Sequence, residues 1–202
     1  CTDKDKFEKI VFLADYVAPY QHEGINNQDA LKVFKEIIQF KKDNPDKVVL
    51  LLGNHDFSYF NPQICECRTD YENWGEINKL YFDNIDSFDL AYEIKTEEGR
   101  YFFSHAGVKK YWFDTYVKNK WFPWDKDTLP KADCFNNAFH FNCDNDNFEK
   151  LSGSLSVYSD YRGWGGDKAG SIVWSDIHEW IGEPEYENVT FICGHTQLKE
   201  ED

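Results

Sequence analysis

Four times along the chain, a short apolar run stops abruptly at a polar cluster. The segments are KIVFLADYV (Lys9 to Val17), VVLLLGNHDF (Val48 to Phe57), RYFFSHAGV (Arg100 to Val108) and NVTFICGHTQ (Asn188 to Gln197). Runs of this length that are apolar on both faces predict buried strands. Between the first two, Gln28 to Lys42 places Leu31, Phe34, Ile37 and Ile38 on one helical face. Asn26 or Asn27 can cap its start, Lys41 and Lys42 suit its end, and Pro45 closes it. Strand, helix, strand predicts a parallel crossover. Ahead of the third run, LAYEIKTEEGRYFF alternates around Glu97-Glu98-Gly99 and predicts a hairpin. The stretch from Lys109 to Leu151, with Trp112, Trp121, Trp124, Pro123 and Pro130, predicts an irregular, partly helical insertion over one end of the sheet. Its aromatics suit packing better than base stacking.

The strand ends carry the chemistry: Asp15, then Asn54-His55-Asp56, then His105, then His195. Parallel strands present their C-terminal ends along one edge, where open α/β sheets bind ligands. A carboxylate can bridge two ions, an amide oxygen can bind a hard ion, and imidazoles suit transition metals. His22, His140 and His178 lack this setting. Asp56 reads as a brace for its turn through side-chain to backbone hydrogen bonds, with a pairing to His55 as the alternative. Arg162 is one of three arginines and lies in SDYRGWGGDKAGS. It is either a fork for phosphate or a solvated loop residue.

Composition narrows the partners. The 202 residues carry a formal charge of -15, with 41% hydrophobic and 18% aromatic residues. That is enough apolar mass for a sizeable core. A surface this acidic argues against stable nucleic-acid or anionic-membrane binding, so an anionic substrate needs local positive charge, which bound metal can supply. No apolar stretch is long enough to span a bilayer and no signal peptide is visible. The six cysteines match no common zinc spacing and read as reduced thiols of a cytoplasmic protein.

The ordered set LADYVAPY, LLGNHD, FSHAGV and CGHTQ resembles the calcineurin-like metallophosphoesterases, and within them the bacterial and phage relatives of the serine/threonine phosphoprotein phosphatases. GSIVWSD (Gly170 to Asp176) resembles a further segment of those phosphatases. The resemblance implies an α/β fold, a four-layer αββα sandwich of two mixed sheets with flanking helices. It implies a single domain across residues 1–202, with 109–151 as an insertion or cap. It also implies two divalent ions (Mn, Fe, Zn or Ni). Asp15 matches the carboxylate that bridges both ions; Asn54, His105 and His195 match the other ligands of the second. His55 matches the general acid, and Asn54 also faces the phosphate. A metal-bridging water would then attack a phosphomonoester or phosphoprotein. Two alternatives stand beside this reading: a catalytically weak metal- or phosphate-binding module on the same scaffold, and a nuclease or dinucleotide polyphosphate hydrolase.

The chain departs from the family pattern in three respects, and at a further position it follows the phosphoprotein branch. The Asp-x-His pair that supplies two ligands to the first ion is absent, and is expected upstream of Cys1. Ala14 and Ala18 stand where the family has Gly and a second Asp. Ala14 costs little as long as its backbone stays in β space, whereas Ala18 removes the carboxylate that steadies the catalytic histidine and predicts slowed turnover. Pro19 stands where many phosphoprotein phosphatases have an arginine for phosphate. Gln197 replaces a histidine of wider relatives, as in the phosphoprotein branch.

Overall fold

The computed structural model describes residues 7–61, 68–118, 120–121, 131–144, 148–163, 165–182 and 186–198. The chain divides into two compact units, residues 1–89 and 90–202, each with a three-stranded sheet.

The first unit runs β1 (Ile10–Phe12), α1 (Asn27–Asp43), β2 (Val48–Leu51), α2 (Asn54–Phe57), α3 (Trp74–Asp83) and β3 (Phe88–Asp89). Its sheet is parallel in the order β1-β2-β3, with Ile10 opposite Val48 and Leu50 opposite Phe88. All four residues of the central strand β2 are buried, which is why that run carries no polar alternation. Helix α1 buries Ala30, Leu31, Phe34 and Ile38. The Asn26 side chain accepts from Asp29 N–H at 2.8 Å and satisfies one of the free donors at its start. At its end the Lys41 ammonium donates to the carbonyls of Pro45 and Val48 at 2.9 and 2.7 Å. Phe34 lies at the centre of an aromatic cluster, with ring centroids 5.3 Å from Tyr16, 4.8 Å from Tyr81 and 6.1 Å from Phe88. The sequence pattern did not show β3, a two-residue strand, or α3.

Asn54-His55-Asp56 is not a plain turn. It forms the single helical turn α2, and the N–H of Gly53 in extended backbone is capped by the Asp56 carboxylate at 2.8 Å. The same carboxylate accepts from Asp15 N–H at 3.0 Å, Tyr16 N–H at 3.3 Å and the Tyr81 hydroxyl at 2.6 Å. Asp56 therefore ties the loop after β1, the loop after β2 and α3 together. It is fully buried, so each of these bonds forms away from competing water.

The loop after β1 needs that tie. Ala14, Asp15 and Ala18 all have positive φ, at 80°, 55° and 65°. An aspartate tolerates the left-handed region; alanine does so at a cost of about 1 kcal/mol or more. The condition under which Ala14 would cost little, a backbone in β space, is thus not met: the position has the geometry for which glycine is suited.

The second unit contains β4 (Ala91–Lys95), β5 (Arg100–Ser104), α4 (Lys110–Trp112), α5 (Ala132–Asp144), α6 (Phe148–Leu155) and β6 (Val189–Ile192). β4 and β5 form the expected antiparallel hairpin, closed by Thr96 N–H to Gly99 O at 2.9 Å, and β6 pairs parallel to β5. The four functional strand ends therefore do not share one sheet edge: β1 and β2 belong to one sheet, β5 and β6 to the other. The stretch after β5 is more helical than expected. α4 runs into a π-type turn at Phe113–Val117, and α5 follows. Asn136 on α5 accepts from the N–H groups of Leu90 and Ala91 and donates to Ala91 O, which satisfies the start of β4. Trp112, Trp121, Phe102 and Phe135 pack together, Trp112 edge-on to Trp121 at 5.9 Å, so these aromatics are core. Trp124, Pro123 and Pro130 lie outside the described residues. Among the described residues no helix is long and apolar enough to cross a membrane.

Two stability measurements test this account of the first unit. Asp56→Asn turns one acceptor into a donor that confronts N–H and O–H groups already seeking acceptors. It is expected to cost about 3 kcal/mol in urea unfolding; a change under about 0.5 kcal/mol would show that the carboxylate is not the tie. Ala14→Gly is expected to stabilise by about 1 kcal/mol, because glycine adopts this φ without a Cβ clash. A destabilised Ala14→Gly variant would contradict the left-handed geometry.

Candidate functional site

Each unit assembles its own share of the predicted residues. In the first, Asp15 Oδ1 accepts from His55 N–H at 3.2 Å, so the loop after β1 is bonded directly to α2. Asn54 is fully buried and His55 is 6% exposed. Both are held in α2, whose helical backbone, rather than extended strand, sets their directions. The structure thus brings Asp15, Asn54, His55 and Asp56 into one cluster.

Burial, reinforced by the charge of Asp15, pushes the Asp56 carboxyl up to about 7, while the donors from Tyr81, Gly53 and Asp15 pull the other way. Burial and the Asp56 charge push the Tyr81 phenol well above its ordinary range, and burial with Asp56 and Asp15 does the same for Tyr16. Both phenols therefore remain donors: Tyr81 to Asp56, and Tyr16 to Leu51 O at 2.8 Å.

Arg68, which the motif pattern did not single out, sits beside His55. Its Nη2 contacts His55 Nε2, and its Nη1 donates to the carbonyl of Ala18 at 2.8 Å. Its guanidinium lies over the Tyr20 ring, 3.6 Å from the centroid. A guanidinium only donates, so in this arrangement His55 Nε2 is the acceptor. A cavity of about 170 Å³ opens beside Asp15, walled by Tyr16, Val17, Pro19, Glu23, Ile25, Ala30 and Val33, mostly apolar with one carboxylate.

In the second unit His105 follows β5 and His195 follows β6. Their Nε2 and Nδ1 atoms are 3.0 Å apart, with ring centroids 4.8 Å apart at 66°. The two loops are bonded through Gly194 N–H to His105 O at 2.9 Å. His195 has φ 65° and is the centre of a tight turn closed by Thr196 N–H to Gly194 O at 2.7 Å, a strained γ-type geometry. His105 is held by Ala106 N–H to Ile172 O at 2.9 Å and by Gly107 N–H to Ser104 Oγ at 3.0 Å. A side chain at Gly107 would run into Trp180, and one at Gly170 into the Trp174 carbonyl, so both glycines allow close approach around His105 and the GSIVWSD segment.

The donor chemistry fits divalent metal. Two imidazole nitrogens 3.0 Å apart, here hydrogen-bonded to one another, are close enough to converge on one cation. In the other unit a carboxylate after β1 and a buried amide in α2 are held on adjoining segments.

Arg162 is anchored. Its Nε lies 2.8 Å from Asp176 Oδ2, and its Nη2 donates to Thr196 Oγ1 at 2.7 Å, next to His195. Burial pushes the Asp176 carboxyl up, but hydrogen bonds from His178 and the Arg162 charge outweigh it and hold it below the usual carboxylate range. His178, half exposed, bonds Asp176 through Nδ1 at 2.6 Å. Cys134, Cys143 and Cys193 are free thiols, and Cys1, Cys65 and Cys67 lie outside the described residues. Sequence reasoning missed Arg68, Tyr81, Tyr16, Thr196 and Asp176 as partners of the site residues. The scarcity of arginine was the one signal that pointed toward Arg68.

No curated protein matches the chain. Among solved structures it is similar to the phosphatase domain from the Legionella effector WipB, at 16% identity and a TM-score of 0.48, over 93% of this chain and 71% of that one. The family model for calcineurin-like phosphoesterase matches residues 2–199. A match over nearly the whole chain settles the family: this protein belongs to the calcineurin-like phosphoesterases.

Proposed function

We propose that the chain is a metal-dependent phosphatase acting on a phosphomonoester or phosphoprotein in the cytoplasm, with Asp15, Asn54, His105 and His195 as ligands of two divalent ions, manganese among the candidates. The observation that carries this reading is the cluster in the first unit, where Asp56 locks a strained loop bearing Asp15 onto the helical turn bearing Asn54 and His55. Strain of this kind persists only where surrounding bonds over-determine it, and it concentrates at functional sites. The bound ions supply an activated water and offset phosphoryl charge.

The chain's own residues do the rest. Asn54, buried, would offer its amide oxygen to an ion and its NH2 to the phosphate. His55 delivers a proton to the leaving oxygen once a phosphoryl group stands beside it. The mostly apolar cavity beside Asp15 suits a leaving group with an apolar body, such as a phosphorylated side chain in a peptide, more than a bare sugar phosphate. Arg162, braced by Asp176 and Thr196, keeps three N–H donors for phosphate and also steadies the turn that carries His195.

A second reading draws on Arg68. With its guanidinium against His55 Nε2, and alanine at position 18, the histidine accepts rather than donates, as in a phosphate-binding module with weak turnover. Metal content with turnover separates the two: one tight ion per chain and no hydrolysis favours the module.

The test is hydrolysis of an aryl phosphate with and without added manganese. Activity is expected to vanish with chelator, and His55→Gln should lower kcat by about 10²–10⁴-fold. Ala18→Asp is expected to raise turnover by returning a carboxylate near His55. Absence of metal-dependent hydrolysis in both the wild type and Ala18→Asp would end the enzyme reading. Comparing phosphopeptides, mononucleotides and dinucleotides identifies the ester class.

A further inference from the structure

We propose that Arg68 is the phosphate anchor of this site: it grips the phosphoryl group of the substrate from the His55 side, in place of the arginine that Pro19 cannot provide. The inference rests on the phosphoesterase reading for what the anion is, and on the geometry of Arg68 for where it binds.

Charge pairing isolates this residue. The chain has three arginines and a formal charge of -15. Arg100 is paired with Glu93, and Arg162 with Asp176. Among the described residues no carboxylate pairs with Arg68. Its bonds go to the Ala18 carbonyl and the His55 ring nitrogen, both neutral acceptors. A half-buried cation in an acidic protein, offered only neutral partners, has the electrostatic setting of a site that receives an anion.

Orientation points the same way. The guanidinium plane lies over the Tyr20 ring at 3.6 Å, and one end is fixed on Ala18 O. Stacking and one bond fix the plane, so little rotamer freedom remains to be lost on binding. The opposite edge meets His55. A phosphoryl group entering between them would accept two parallel bonds from the fork and a third from the imidazole, which is stronger pairing than a single ring nitrogen offers. The arginine and histidine then share the anion instead of facing one another. The positive φ of Arg68, 63°, is a further strained position kept beside this cluster.

The experiment is binding of inorganic phosphate to the manganese-loaded chain by titration calorimetry, alongside aryl phosphate kinetics. Arg68→Ala is expected to weaken phosphate binding by about tenfold to a hundredfold. In aryl phosphate hydrolysis the same variant should raise KM, and free guanidinium in solution should recover part of the lost affinity. A purely structural arginine would show no such recovery. Arg68→Lys keeps a cation but not the fork, and is expected to bind phosphate several-fold more weakly than wild type; it serves where the alanine variant loses its fold. Phosphate binding unchanged in both variants, or none in the wild type, overturns the proposal. A wild type that binds phosphate through Arg68 and hydrolyses nothing instead overturns the phosphoesterase reading and leaves the anchor standing.

Discussion

The buried carboxylate of Asp56 accepts four hydrogen bonds: from Gly53 ahead of the helical turn, from Asp15 and Tyr16 in the strained loop, and from Tyr81 on α3. Removing these bonds would leave several donors buried without acceptors, at about 1–3 kcal/mol each. The loop after β1 and the helical turn that holds Asn54 and His55 are therefore tied by the side chain of Asp56, which absorbs the backbone's demands there.

The second unit reaches a similar result by other means. There Gly194 N–H donates to the carbonyl of His105, and His195 is held in a tight positive-φ turn. Arg162 reaches Thr196 from Asp176 and fixes the far side of that turn. Glycines at 107 and 170 allow Trp180 and the Trp174 backbone to close in. In both units a residue with positive φ, Asp15 or His195, follows a strand, and in both the strain is countered by hydrogen bonds from a different part of the chain.

Much of this was legible in the sequence, because periodicity and capping are local. Helix α1 was expected at Gln28 to Lys42 and spans Asn27–Asp43, capped by Asn26 and followed by Pro45. The hairpin about Glu97-Glu98-Gly99 and the parallel pairing of β1 with β2 were likewise readable. Other features depend on long-range contacts that carry no local pattern. The two-residue β3 is a strand only because β2 lies beside it. Tyr81 looks like any aromatic on a helix, yet its hydroxyl completes the Asp56 site. A positive φ at alanine leaves no trace in composition, which is why Ala14 was expected to cost little. The split of the strand ends between two sheets was hidden for the same reason: each apolar run predicts a strand without naming its partner.

Positions 18, 19 and 68 are best understood together. A side chain at 18 would have offered a carboxylate, and one at 19 a cation, but alanine and proline offer neither. The carbonyl of Ala18 is nonetheless a hydrogen-bond acceptor, and Arg68 uses it. Because Arg68 bonds the backbone carbonyl of position 18, a carboxylate side chain introduced there leaves that acceptor in place. In a chain with 37 acidic and 22 basic residues, an arginine beside His55 with no carboxylate paired to it among the described residues is a substantial local asymmetry. On the proposed assignment of Arg68, the departures from the family pattern at the loop after β1 have one common consequence: the positive charge offered to the substrate comes from a different part of the chain.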